Sequence, residues 1–192
     1  MTAITLTLKP IIQLTEKEFY QLCQANPDAK LELNSNGELV IMPPTGGTSG
    51  NRNFELYIDL GIWNRQAKLG KAFDSSTMFR LPNGALCSPD AAWISLERWN
   101  RLSTEEQEEF PPICPDFVVE LRSVSDSLKS LQEKMEQYMA NGTRLGWLIN
   151  PKQQTVEIYR QGKEKEVLHQ PSQLSGEDVL SGFILDLKEI LI

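Results

Sequence analysis

The sequence predicts an α/β fold in which a mixed central β-sheet is flanked by helices. The predicted elements follow the order helix, hairpin, helix, several strands, helix and further strands, which differs from the plain alternation of a Rossmann fold. The chain has 192 residues, of which 40% are hydrophobic and 23% charged, so it can bury the core of one domain. It contains neither an internal repeat nor a low-complexity linker. We therefore predict a single domain over residues 1–192.

The N-terminal region combines a helix with a hairpin. Thr15 followed by Glu18 is a capping box, and it predicts a helix over 16–25. The run KLELNSNGELVIM then reads as two strands joined around Asn36-Gly37. This dipeptide is typical of short hairpins because both residues tolerate positive φ. The hairpin is expected to form an N-terminal extension of the fold.

Later elements are predicted from apolar runs that are bounded by Gly, Pro or capping residues. Gly70 is expected to close a long helix, and Ser103 with Glu106 is a second capping box that starts a short acidic helix. The predicted helices cover 51–69, a few residues after Ser103, and 127–141, and the predicted strands cover 72–82, 91–95, 117–121, 145–150 and 155–160.

Composition and charge exclude several classes of protein. The formal net charge is -7 and no run of Lys or Arg is present, which disfavours nucleic-acid binding through a broad basic surface. No stretch approaches the ~18 consecutive apolar residues of a membrane span, and the N-terminus lacks the pattern of a secretory signal. Cys23, Cys87 and Cys114 show no metal-type spacing. These features predict a cytoplasmic protein.

The histidine and cysteine content narrows the chemistry further. The sequence has one histidine, His169, which argues against a His-rich zinc site and against a Ser-His-Asp triad. His169 falls in a charged, loop-like stretch, so we expect no catalytic role for it. The three cysteines are expected to be small buried residues and not nucleophiles.

The strongest candidate for chemistry is a carboxylate inside an apolar strand. Glu120 interrupts the run FVVEL, and a carboxylate there is costly to desolvate unless it is paired or bound to a metal. Asp116 lies on the same strand but about 13 Å away at ~3.3 Å per residue, too far for both to ligate one ion. Asp90 precedes another strand and would lie beside Glu120 if the two strands pair, because paired strands are ~4.8 Å apart. We therefore predict that Asp90 and Glu120 share a hard divalent cation.

A lysine on the next helix supplies a positive charge for this site. Apolar residues recur at helical spacing on one face of the helix at 127–141, and Lys134 lies near the edge of that face, one turn before Tyr138. A lysine at such an edge can run its stem along the core and deliver its ammonium to the sheet. Near two metal-bound carboxylates it could stabilise an attacked phosphate or orient a water molecule.

Each of these residues also has an ordinary structural interpretation. Glu120 can face solvent on an edge strand or form a salt bridge with a nearby cation. Asp90 can serve as a turn residue after Pro89. Lys134 can lie along the surface of its helix without any further partner.

The order of these residues resembles that of a known nuclease family. An acidic pair with a lysine nearby is the arrangement of the PD-(D/E)XK nuclease superfamily, and residues 15–187 are similar to its Uma-type family of restriction-endonuclease-like proteins. The hairpin and loop LELNSNGELVIMPPTGG and the strand SPDAAWIS resemble the N-terminal half of that family. The C-terminal half is matched by PDFVVELRSVSD, Lys134, Tyr138, Gly142, Trp147, Asn150-Pro151 and residues 156–159.

The resemblance implies a restriction-endonuclease-like core and a metal-dependent active site. It implies Asp90 and Glu120 as ligands of Mg²⁺ or Mn²⁺. The position two residues after the Glu, where many superfamily members have their lysine, is Arg122 here. Arginine can clamp a phosphate but cannot act as a general base, so Lys134 is the expected substitute. Glu32 matches an acidic position of the family hairpin and is expected to approach the same ion.

Two further positions bear on activity. Tyr138 follows Lys134 by four residues, as in the family pattern. Asn51 stands where family members often have a histidine at the start of the long helix, which favours weakened or absent activity.

Three functions stay open at this point. The leading hypothesis is a Mg²⁺-dependent endonuclease that hydrolyses DNA phosphodiester bonds. The second is a nuclease-like interaction module without catalysis, and the third is a hydrolase of small phosphoesters. Duplex cleavage usually needs two active sites, one for each strand, so the chemistry favours a homodimer. No membrane partner is expected.

Overall fold

The computed structural model describes residues 3–191, so Met1, Thr2 and Ile192 of the predicted domain lie outside the described residues. The strands are β1 (Ile4–Leu6), β2 (Lys30–Leu33), β3 (Leu39–Met42), β4 (Gly70–Asp74), β5 (Phe79–Arg80), β6 (Leu86–Cys87), β7 (Ala91–Ser95), β8 (Phe117–Leu121), β9 (Leu145–Asn150), β10 (Thr155–Arg160), β11 (Glu166–His169), β12 (Gln173–Ser175) and β13 (Ile184–Asp186). The helices are α1 (Glu16–Ala25), α2 (Gly47–Ala67), α3 (Leu96–Trp99), α4 (Thr104–Glu108), α5 (Leu128–Ala140) and α6 (Lys188–Leu191).

A six-stranded mixed sheet forms the centre of the fold and confirms the predicted class. Its strand order is β11-β10-β9-β8-β7-β4. β8 and β9 are parallel, while the other neighbours are antiparallel. Every residue of β8 and β9 is buried, because helices cover both faces of the sheet. Leu56 and Leu60 of α2 pack on one face, and Met135 and Tyr138 of α5 pack on the other.

The predicted hairpin belongs to a second sheet. β2 and β3 pair as expected, but they lie within a five-stranded antiparallel sheet of order β1-β3-β2-β6-β5. Helix α1 packs on this sheet through Phe19, and the capping box at Thr15 and Glu18 that starts the helix is present. The predicted extension is therefore a separate layer with its own small core.

The hairpin turn differs from the predicted one. The loop spans residues 34–38, and Gly37 has a positive φ of 78° whereas Asn36 does not. The side chain of Asn34 organises the loop by accepting hydrogen bonds from the backbone N–H groups of Asn36 and Glu38, each at 3.0 Å. A side chain that satisfies the loop backbone makes a second residue with positive φ unnecessary.

The bounds predicted for the long helix were wrong at both ends. α2 begins at Gly47 and not at Asn51, because a glycine costs only about 1 kcal/mol in a helix and the helix is anchored by its buried face. At the other end Lys68 adopts a left-handed conformation and closes the helix. Gly70 instead starts β4, where a side chain would collide with the ring of Trp93.

The predicted strand at 72–82 is two strands in different sheets. β4 lies at the edge of the central sheet, whereas β5 belongs to the second sheet. Between them Asp74 stabilises a turn, since its carboxylate accepts hydrogen bonds from the N–H and the hydroxyl of Ser76. The strands predicted at 91–95, 117–121, 145–150 and 155–160 are confirmed.

Two remaining predictions concern the membrane and the histidine. Over residues 3–191, no helix combines the length and apolar character needed to cross a bilayer. His169 is exposed, but it lies at the end of strand β11 and not in a loop, because this strand pairs with β10.

Candidate functional site

The pairing of β7 with β8 places Asp90 beside Glu120, as the sequence predicted. Ala91 pairs with Val119 in an antiparallel register, so the next pair in that register is Asp90 with Glu120. The Asp90 carboxylate also accepts a hydrogen bond of 2.8 Å from the backbone N–H of Leu121. Asp90 is only partly buried, whereas Glu120 is buried, with 3% of its surface exposed. The two carboxylates therefore lie at the end of two paired strands, with Glu120 the more deeply buried of the two.

Helix α5 delivers Lys134 to these carboxylates. The Lys134 ammonium lies 3.0 Å from Oε1 of Glu120 and 2.9 Å from Oε1 of Glu32. It also donates a hydrogen bond of 3.1 Å to the carbonyl oxygen of Ser88. The lysine stem covers the sheet while the ammonium reaches the buried acids, so the structure brings Glu120, Lys134 and Glu32 together.

Glu32 enters the site from the second sheet. It is buried in the middle of β2, and besides Lys134 its Oε1 accepts a hydrogen bond of 3.0 Å from the backbone N–H of Ser88. Ser88 lies two residues before Asp90 and is contacted by both Lys134 and Glu32. The site thus joins the two sheets.

Tyr138 completes the contacts of Glu120. Its hydroxyl donates a hydrogen bond of 3.2 Å to Oε1 of Glu120, and the Lys134 ammonium lies 5.9 Å from the centre of its ring. Since Tyr138 follows Lys134 by one helical turn, both side chains lie on the same face of α5. Burial and the negative charge of Glu120 keep the pKa of Tyr138 well above its ordinary value, so Tyr138 acts as a hydrogen-bond donor.

Burial and the excess of carboxylates over cations determine the protonation of the site. Burial raises the pKa of Glu120 to about 7 although Lys134 opposes this effect, and the charges of Asp90 and Glu32 add to it. Burial also raises the pKa of Asp90. The Lys134 ammonium is itself buried, but the negative charges of Glu120 and Glu32 raise its pKa well above the ordinary value. The permanently cationic lysine does not balance three carboxylates.

This donor set fits a small divalent cation. Within residues 3–191 no three His, Cys, Asp or Glu side chains come close enough together to hold a metal ion, and Glu32 is engaged by Lys134 and Ser88. Asp90 and Glu120 remain as two carboxylates whose hard oxygen atoms could serve as ligands. Mg²⁺ typically binds through one or two carboxylates and keeps several waters or substrate oxygens. The negative charge left by Lys134 would favour such an ion.

Three residues singled out by the sequence lie outside this cluster. The guanidinium of Arg122 donates to the carbonyl of Asp126 at 3.2 Å and to the side chain of Asn150 at 3.4 Å, which holds the loop after β8. Asn51 is exposed in α2. Asp116, at the other end of β8, accepts hydrogen bonds from the Ser95 N–H and from Arg98, each at 2.9 Å.

The sequence analysis missed Tyr57 and Lys30. The hydroxyl of Tyr57 donates a hydrogen bond of 2.9 Å to the carbonyl of Asp90 and accepts one from the N–H of Ser75, so it fixes the backbone at the start of β7. No sequence pattern indicates this contact. Lys30 could have been found, because the period of two along β2 puts it on the same face as Glu32.

Two surface cavities lie away from this cluster. One of about 460 Å³ is lined by residues near the C-terminus, and another of about 710 Å³ lies between α1 and the segments around Arg80 and Phe110. Asp90, Glu120 and Lys134 line neither cavity. The candidate site is therefore identified by its charged groups and not by cavity volume.

Comparison with known proteins supports the nuclease resemblance. Residues 16–188 match the Uma2 family, described as a putative restriction endonuclease. The chain belongs to the Uma2 family. A crystal structure from Anabaena variabilis ATCC 29413, described as a putative nuclease of DUF820, superposes on this Uma2 protein with a TM-score of 0.78. The two share 24% identity over 93% of this chain and 97% of the other, which shows a common fold. No curated protein matches the chain.

Proposed function

We propose that this Uma2 protein is a metal-dependent endonuclease that hydrolyses DNA phosphodiester bonds. The observation that carries the proposal is the position of Asp90 opposite Glu120 in paired strands, with the ammonium of Lys134 3.0 Å from Glu120. The match to a family described as a restriction endonuclease supports a nucleic-acid substrate. The free cysteines support a cytoplasmic location.

Asp90 and Glu120 would hold a Mg²⁺ or Mn²⁺ ion in this proposal. The ion, when bound, supplies Lewis-acid polarisation of a phosphoryl oxygen and a bound water of lowered pKa. Asp90 is oriented by the N–H of Leu121 and by the contact of Tyr57 with its carbonyl. Glu120 is oriented by Lys134 and Tyr138. Both carboxylates are thus held in place before substrate arrives.

Lys134 acts as the positive charge of the active site. Its charge favours the ionised form of Glu120 against the effect of burial, and it offsets the charge that develops on the phosphate oxygens during attack. Glu32 is a positioning residue, because its carboxylate holds the Lys134 ammonium against the sheet at 2.9 Å. In this proposal Lys134 supplies the positive charge and Glu32 holds it in position.

Thermal unfolding with and without Mn²⁺ tests the metal site. We expect Mn²⁺ to stabilise the wild type, since a ligand that binds only the folded state raises the unfolding temperature, and we expect no shift in Asp90→Asn. Cleavage of plasmid DNA should be lost in Asp90→Ala and Glu120→Ala while circular dichroism shows an intact fold. Glu157→Gln, a buried strand glutamate outside the site, is the matched control and should retain cleavage.

The outcomes separate the three functions considered for this chain. Cleavage by both alanine variants at the wild-type rate would remove Asp90 and Glu120 from the mechanism. Mn²⁺ binding without DNA cleavage, but with hydrolysis of bis(p-nitrophenyl) phosphate, would favour a small phosphoester as substrate. Absence of both Mn²⁺ stabilisation and cleavage would favour a non-catalytic module.

We propose further that the protein acts as a homodimer that pairs through the outer face of α2. Phe54, Ile58 and Ile62 follow one another at four-residue spacing, so they lie on one face of the helix, and they are 60%, 37% and 52% exposed. Glu55 lies in the N-terminal half of this helix and Arg65 in its C-terminal half. An antiparallel pair would bring each charge near its opposite while it buries the apolar stripe.

Sedimentation velocity over a range of concentrations tests the dimer. We expect a dimer for the wild type and a monomer for Ile62→Asp, because a carboxylate within the stripe cannot be desolvated without a partner. Val124→Asp, at another exposed apolar position, should remain dimeric. A monomeric wild type, or an Ile62→Asp variant that stays dimeric, would refute the proposed interface.

A further inference from the structure

The ammonium of Lys134 has no donor left for a substrate. An ammonium carries three N–H donors, and those of Lys134 are taken by Glu32, Glu120 and the carbonyl of Ser88, at 2.9, 3.0 and 3.1 Å. Lys134 therefore contributes charge, but a phosphate oxygen must find its hydrogen-bond donor on another residue. Arg122 is held by Asp126 and Asn150.

Lys30 lies where such a donor is needed. On β2 it shares a face with Glu32, which contacts Lys134. Leu33 pairs with Leu86 in the antiparallel contact of β2 and β6, and Ser88, just after β6, donates its backbone N–H to Glu32 of β2. The segment that leads to Asp90 therefore runs alongside β2, the strand that Lys30 begins.

The charge of Lys30 is close to Asp90 and is not neutralised by an ion pair. Burial raises the pKa of Asp90, and the positive charge of Lys30 is the largest effect that opposes this rise. Over the described residues 3–191, no carboxylate oxygen lies within 4.0 Å of the Lys30 ammonium. Lys30 is partly buried, so this residue lies at the boundary between the second sheet and solvent.

We propose that Lys30 forms a phosphate-binding subsite beside the acidic pair and contacts the backbone of the nucleic-acid substrate. The inference rests on the proposed nuclease function and names the residue that meets the phosphate. A lysine is a compact cationic donor for phosphate oxygens. Met42, the cross-strand partner of Lys30, is partly buried and adds an apolar residue beside the proposed subsite. The second sheet thereby becomes part of the substrate-binding surface.

Two binding measurements on Lys30→Ala test the subsite. The first is binding of a short labelled DNA duplex in Ca²⁺ at several salt concentrations. We expect affinity to fall about tenfold, the equivalent of one charge-assisted hydrogen bond, and the salt dependence to weaken by about one released counterion. The second is Mn²⁺ binding without DNA, followed by calorimetry. We expect Mn²⁺ to bind severalfold more tightly, because a cation that repels the metal has been removed.

Opposite changes in the two affinities distinguish a phosphate contact from a structural role. Lys30→Arg should restore DNA binding, and Lys71→Ala, on the exposed edge strand β4, should alter neither affinity. Weaker binding of both DNA and Mn²⁺ by Lys30→Ala would overturn the subsite, as would unchanged DNA binding. In those cases wild-type binding of DNA and Mn²⁺ would leave the nuclease proposal intact, whereas a wild type that binds neither would refute both proposals.

Discussion

Glu120 and Glu157 are two buried glutamates of the same sheet with opposite electrostatic behaviour. They are 3% and 7% exposed, and both point towards α5. Each contacts one lysine and one tyrosine, Lys134 and Tyr138 for Glu120 and Lys165 and Tyr159 for Glu157. By residue type alone the two clusters would be equivalent.

The difference lies in how fully each carboxylate is neutralised. Burial raises the pKa of Glu157, but hydrogen bonds from Lys165, Tyr159 and Gln132 outweigh it and leave the pKa below its ordinary value. Glu120 shares its lysine with Glu32 and lies near Asp90, so its pKa rises to about 7. A carboxylate whose charge and hydrogen bonds are matched by its neighbours stabilises the fold. A carboxylate that lies among other negative charges can instead bind a cation. This difference supports the proposal that the cluster at Glu120, and not the one at Glu157, binds a cation.

Removal of the two lysines should give the largest contrast in stability. Lys134→Met leaves Glu32 and Glu120 buried without their cation, and we expect it to lower the free energy of unfolding by about 3 kcal/mol. Lys165 is 39% exposed against 12% for Lys134, so Lys165→Met should cost less than about 1 kcal/mol. Urea unfolding at neutral pH measures both values. An equal loss in the two variants would contradict the difference drawn between the clusters.

Replacement of each glutamate by glutamine should give the next largest difference in folding stability between the two clusters. In Glu157→Gln the amide NH₂ replaces either Oε1, which accepts from Gln132, or Oε2, which accepts from Tyr159 and Lys165. We expect a loss of about 2 kcal/mol from the unmet hydrogen bonds. Glu120→Gln removes a carboxylate from a site with surplus negative charge, and we expect metal-free protein within about 1 kcal/mol of the wild type. Urea unfolding in the presence of EDTA tests whether Glu157→Gln loses more stability than Glu120→Gln. A larger loss for Glu120→Gln than for Glu157→Gln would show that Glu120 is the better satisfied group.

The pH dependence of stability should have opposite signs at the two positions. Because the pKa of Glu120 is raised to about 7, the folded state binds an extra proton between the ordinary value near 4.5 and pH 7. Wild-type stability relative to Glu120→Gln should therefore fall by about 3 kcal/mol at most as pH rises through that window. The pKa of Glu157 is lowered, so its contribution should be present above the ordinary value and be lost as pH falls below it. Thermal unfolding from pH 2.5 to pH 8 covers both windows, and a common sign at the two positions would show that the assignment is wrong.

The smallest expected effect concerns Tyr57. Tyr57→Phe removes the hydrogen bond to the carbonyl of Asp90, and we expect a loss of about 1 kcal/mol in stability together with weaker Mn²⁺ binding. Tyr159→Phe removes a hydroxyl that contacts Glu157 instead and should leave Mn²⁺ binding unchanged. Calorimetry on the two variants makes the comparison. Equal Mn²⁺ affinities would show that Tyr57 does not position Asp90.

Local sequence patterns predicted the parts of the site that depend on neighbours along the chain. FVVEL is a strand because a continuous apolar run between turn residues is buried on both faces, and this was sufficient to single out Glu120. The distance along the strand excluded Asp116 as its partner, and the structure gives Asp116 a structural role with Ser95 and Arg98. The helical period likewise placed Lys134 and Tyr138 on one face of α5.

Only the tertiary structure decided which of these residues work together. Glu32 and Lys134 are 102 positions apart and belong to different layers, so no local pattern could predict their contact. The same holds for the contact of Tyr57 with the carbonyl of Asp90. Secondary structure follows from backbone sterics and burial, which neighbouring residues determine. The charge balance of a buried site depends on every group within a few ångströms, and those groups are assembled only when the two sheets pack.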